Sequence, residues 1–175
     1  MPMLRRPSVA LVALAVLAPL APPALAAEPQ PEITRAAAKP QATGVLHTVR
    51  AIPEACARLE GAFTGQMAEP YSFAVVRTSA NCQARARFVD AAKAKPSTQA
   101  GWVLNDLIRV PSSSCPSQQA VVRVWRKPGR AAPPALDAQG RARIYLQEAR
   151  KLDGAATAAV TLFAATMALE GTSCR

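Results

Sequence analysis

Four cysteines, Cys56, Cys82, Cys115 and Cys174, and a single histidine, His47, carry most of the reactive chemistry in this 175-residue chain. The closest two cysteines, Cys56 and Cys82, stand 26 residues apart, and no C-x-x-C occurs. Nothing therefore pre-forms half a zinc site, and the thioredoxin-type redox motif is missing. A Ser–His–Asp arrangement would have to use His47, and no Gly-x-Ser-x-Gly is present. Ser112, Ser113 and Ser114 lie among turn-forming residues. Glu54, Glu60, Glu69, Asp90 and Asp106 belong to a sparse pool of 11 acids whose spacing does not bring any two together. No glycine-rich phosphate loop exists. The sequence thus assigns no catalytic set, metal or cofactor, and the chain reads as a non-enzyme.

The cations have more shape. Lys and Arg total 21 and the formal net charge is +10, which attracts polyanions. Arginine-rich coding bias is a competing source of that charge. Arg85 and Arg87 project from one strand-like run and Arg123 from another. Arg126 and Lys127 extend the charge into a loop, and Arg143 returns on its far side. On neighbouring strands these six would form a patch able to grip phosphate or carboxylate, with Trp125 and Tyr145 available for stacking. The competing reading is a solvated outer face whose charges discourage edge-to-edge aggregation.

Those side chains need a sheet to hold them. Residues 46–52, 56–64, 71–78 and 82–89 alternate with a period of two, and 82–89 does so most cleanly. Short connections predict an antiparallel meander through the last three of these runs. Cys56 and Cys82 then open strands at the same end of one sheet. Cys56–Cys82 with Cys115–Cys174 is the preferred pairing of the three possible. Next-but-one strands are nearly twice ~4.8 Å apart, so the loops must bend inward to bridge them.

Residues 102–110 and 120–127 are the most strand-like and aromatic stretch, joined by the serine-rich turn around Cys115. Asp106 stands in the apolar phase of the first run, where an unpaired carboxylate is costly. Asn105-Asp106 is turn chemistry, so a bulge or bend is expected there. In 120–127 both faces carry bulk, which suits a central strand. Residues 128–140 read as a loop, 141–152 fit strand or helix, and 155–169 fit helix or strand.

The expected architecture is mainly β: a small antiparallel sandwich or barrel of about six to eight strands, with room for one C-terminal helix, stapled by two disulfides. Residues 1–26 have the three regions of a secretory signal peptide: Arg5 and Arg6, an apolar run over 9–20, and small residues Ala24 and Ala26 before a cleavage site. The apolar run is too short to span a bilayer. Residues 27–44, rich in Pro and Ala with one isoleucine, are expected to be a flexible linker. Residues 45–175 form the single domain.

An exported chain with paired cysteines is expected in the periplasm or outside the cell, soluble once cut near Ala26 and with no membrane span in the mature chain. There it would meet an anionic envelope component or a protein partner rather than nucleic acid. The function expected is a binding module for an anionic ligand or surface. The alternative is an inhibitor or immunity-type protein that blocks a hydrolase with a rigid loop.

Overall fold

A meander comes first because alternation and turn chemistry agree. The computed structural model describes residues 28–130 and 160–174. Strands β1 (His47–Ile52), β2 (Ala57–Phe63) and β3 (Tyr71–Arg77) form a three-stranded antiparallel sheet in sequence order. Pro53 ends β1 in a 3-10 turn, Pro53–Ala55, as expected of a residue that cannot donate to a ladder. A bulge between Thr48 and Arg50 breaks the β1–β2 register. Gly65 takes φ +75° in the β2–β3 connection, where a side chain would be strained.

The second sheet has four strands in the order β4-β7-β6-β5. They are β4 (Ala86–Phe88), β5 (Val103–Pro111), β6 (Gln118–Lys127) and β7 (Thr161–Gly171). β6 is paired on both sides and buries Ala120, Val121, Val122, Val124 and Trp125, as its two bulky faces require. One helical turn, α1 (Ala91–Ala94), is capped by the Asp90 carboxylate, which accepts from the Ala92 N–H at 2.9 Å.

The two sheets stack as an open sandwich rather than a closed barrel. Val49, Ile52, Leu59, Phe63 and Tyr71 from one sheet meet Ile108, Val110, Val122, Val124 and Phe163 from the other. A smaller cluster, Trp102, Leu104, Trp125 and Ala164, lies on the opposite face of the four-stranded sheet, with Ala91 and Ala94 of α1 packed against it. Disulfides join Cys56 to Cys82 and Cys115 to Cys174. Among the described residues no helix is long and apolar enough to cross a membrane.

Two expectations need correction, and a third, left open between helix and strand, is resolved. Within 82–89 only Ala86–Phe88 is strand, and it pairs in parallel with β7 rather than continuing the meander. The Arg77 guanidinium gathers the carbonyls of Ser79, Ala80 and Cys82, stabilising a wide loop in place of a hairpin. Cys82 consequently lies outside the three-stranded sheet, and the next-but-one strain disappears.

The expected flexible linker is instead laid along the free edge of β5. The N–H groups of Glu32, Ile33, Ala38 and Gln41 donate to the carbonyls of Leu104, Asn105, Arg109 and Pro111. Low hydrophobicity did not prevent ordering, because a sheet edge supplies partners for backbone groups. Third, the ambiguous C-terminal run is strand from Thr161 to Gly171, since its residues complete ladders with both β6 and β4. Residues 1–27, 131–159 and 175, which include the expected signal peptide and Arg143 with Tyr145, lie outside the described residues.

Candidate functional site

The structure divides the expected basic patch into engaged and available cations. Arg123 of β6 donates from Nε to Glu28 at 2.7 Å and reaches Glu170 at 3.5 Å through Nη2. Arg126 grips both carboxylate oxygens of Glu32, with Nε at 2.9 Å from one and Nη2 closing on the other. That hydrogen-bonded pairing holds Glu32 below the usual carboxylate range against the opposing effect of burial, and raises Arg126. Glu28 and Glu32 belong to the N-terminal segment, which lies along β5. It therefore fills, in cis, two positions that the sequence offers to an external anion.

Trp125 is buried in the smaller cluster and presents no stacking face. Its strand is covered on that side by α1 and Leu104.

Arg87 and Lys127 are brought together. Both pair with Leu162 of β7, Arg87 from β4 and Lys127 from β6. Directly registered residues on neighbouring strands share a face, so the two cations flank Leu162 about 10 Å apart, two strand spacings. Lys127 Nζ lies 6.0 Å from the centre of the Trp102 ring, which holds its charge over that face. Lys93 of α1 joins Lys127, Trp102 and Leu162 around a shallow groove of about 390 Å³. Lys93 was not singled out in the sequence because one helical turn carries no periodic signal.

Arg85 and Arg87 are exposed. Arg85 is fixed through its backbone N–H, which donates to the Glu54 carbonyl at 2.7 Å. Arg87 borders a second groove, shared with Arg77 at the end of β3, Val75, Val76 and Phe88, beside the Cys56–Cys82 bridge. Arg87 lines this groove and not the one at Lys127.

Asp106 resolves differently from a catalytic acid. Its side chain is 0% exposed and points between the sheets. Arg35 donates to both oxygens, Nε to Oδ1 at 2.9 Å and Nη2 to Oδ2 at 2.5 Å. Arg50 of β1 brings Nε within 3.3 Å of Oδ2, without hydrogen-bond geometry. The expected bulge is present, between Leu104 and Asp106. It turns Asn105 towards Glu32, whose carboxylate accepts from Nδ2 at 2.9 Å. One carboxylate thus ties β1, β5 and the N-terminal segment together.

His47 is a strand residue whose Nε2 lies 2.8 Å from the Tyr71 hydroxyl. The serine-rich turn is folded onto its own hairpin: Ser112 Oγ accepts from the Cys115 N–H at 3.1 Å, and Cys115 is buried. Among the described residues no three His, Cys, Asp or Glu side chains converge as metal ligands would.

Comparison with protein-family models, curated proteins and solved structures finds no match to this chain.

Proposed function

We propose that this protein is an exported binding module of a bacterial-type envelope that acts by holding an anionic partner rather than by catalysis. The placing of Arg87 and Lys127 on either side of Leu162, with Lys93 beside Lys127, is the observation that carries this reading. Cations in register on a rigid sheet lose little entropy on meeting an anion, and guanidinium beside ammonium suits phosphate or carboxylate groups. The two disulfides and the signal-like residues 1–26 support an oxidising address. The charges of Arg123 and Arg126 are answered within the chain, so the seat shifts to Arg87, Lys127, Lys93 and Arg85.

Co-sedimentation of the oxidised protein with phosphatidylglycerol vesicles, and its retention on an acidic polysaccharide, test the reading. Binding should weaken steeply with salt. Arg87→Gln with Lys127→Gln should weaken it about tenfold, on the order of the 1.4 kcal/mol that separates tenfold affinities. Arg123→Gln should leave it unchanged. Salt-insensitive binding, or equal loss in all three positions, would overturn the assignment.

A further inference from the structure

A two-sheet sandwich has four edges, and three are closed here by recognisable devices. β1 carries a bulge between Thr48 and Arg50 and is followed by Pro53. β5 is covered by the backbone of residues 32–41. β4 is only three residues long and bears Arg87. Short strands, bulges, charges and covering segments are the standard means of preventing edge-to-edge pairing.

β3 has none of them. Its seven residues, Tyr71–Arg77, contain no proline, no bulge and no charge before Arg77, and Val75 is 44% exposed. The direction of its free hydrogen-bonding groups follows from its ladder. The Thr64 N–H donates to the Pro70 carbonyl and the Thr78 N–H to the Cys56 carbonyl. Antiparallel bonding alternates along a strand, so Ser72, Ala74 and Val76 face β2. Tyr71, Phe73, Val75 and Arg77 turn their N–H and C=O groups outward, where no strand stands among the described residues.

The sheets are also unequal. Among the described residues three strands lie over four, and the shortfall falls beside β3. Val75 there overhangs Phe88, Ala165 and Met167, which line an open groove of about 710 Å³. A fourth strand beside β3 would match the sheets and cover that apolar strip. The charge at the neighbouring end, from Arg77, which shares the face of Val75, selects what the strand should carry.

We propose that the β3 edge is a strand-addition site for an extended segment of a partner protein. That segment carries apolar side chains at alternate positions, facing the groove, and a carboxylate in the same phase at the end beside Arg77. Main-chain hydrogen bonds supply affinity in this mode and the alternate side chains supply specificity. The inference goes beyond the anionic reading above and stands on a different surface, the free edge of β3.

The probe is a capped seven-residue peptide, Glu-Ser-Val-Ser-Val-Ser-Glu, whose glutamates and valines share one face, titrated into the oxidised protein by calorimetry. It is compared with a version N-methylated at alternate amides and a version carrying lysine for glutamate. Loss of at least tenfold on N-methylation and on lysine replacement supports the proposal. Val75→Pro should give the same loss, because the Val75 N–H faces outward and proline is tolerated on such an edge.

If the N-methylated peptide binds equally, or no peptide binds, strand addition is overturned while the anionic reading still stands on the vesicle and polysaccharide results. Equal binding of the lysine peptide overturns the acidic preference. A dimer by sedimentation that Val75→Pro dissociates, with no peptide bound, would assign the edge to a second copy and overturn a foreign partner.

Discussion

Tyr71 shows how one residue couples packing to protonation. Its ring lies across Gly61, where any Cβ would overlap the phenol, and stands edge-on to Phe63 with centroids 4.8 Å apart. Burial pushes its hydroxyl up from 10.0 to about 12, because the phenolate would lose its water. The neutral phenol is thus favoured by folding. The stability it contributes is whole below pH 10 and declines as pH rises towards about 12. In a Tyr145→Phe background, tyrosinate absorbance of the folded protein should rise well above pH 10 and track unfolding. A titration centred at 10 in the native state would contradict the burial of the group.

At the scale of elements, the N-terminal segment is part of the sandwich. Arg35→Ala would leave Asp106, fully buried, with the single long approach of Arg50. Removing one partner of a buried ion pair costs about 3–5 kcal/mol because the remaining charge is uncompensated. Arg35 is a third exposed, which places the expected loss at the lower end of that range. Urea denaturation should report it, and amides of residues 32–41 should exchange faster.

This segment also marks where the sequence stopped being legible. The runs that became β2, β3 and β6 declared themselves by alternation, since each packs one or both faces against a core. Nothing in a Pro- and Ala-rich stretch announces a partner strand far along the chain. The one signal was Asp106, a carboxylate in an apolar phase, and its counter-ion Arg35 lies 71 positions upstream. The same non-locality hid the parallel partner of β4. The cations were legible only in part for a related reason: strand phase placed Arg85 and Arg87 outward and Lys127 was read into the adjoining loop, but only tertiary pairing shows Arg123 and Arg126 answered by Glu28 and Glu32.

For the molecule as a whole, the disulfides secure the two places where the sandwich would otherwise open. Cys56–Cys82 holds the approach to β4 against the start of β2. Cys115–Cys174 ties the β5–β6 turn to the end of β7, where the Thr172 N–H also donates to the Ser117 carbonyl at 3.2 Å. On chain-entropy grounds, loops of 26 and 59 residues contribute about 3.5 and 4 kcal/mol by constraining the unfolded chain. Net domain stability is about 5–15 kcal/mol, so either bridge is a large share. Cys115→Ser with Cys174→Ser should lower the urea midpoint more than the corresponding change at Cys56 and Cys82, because it opens the longer loop.

The parallel pairing of β4 with β7 has a consequence in time. A chain is made from its N-terminus, and Ala86 meets Thr161 only after 75 further residues have been added. Until then β4 has no ladder. The Cys56–Cys82 bridge needs nothing downstream of Cys82, and the Arg85 N–H already finds the Glu54 carbonyl. Both contacts are local enough to form without β7, and a β4 held by them would shorten the search that a long-range parallel pairing otherwise imposes.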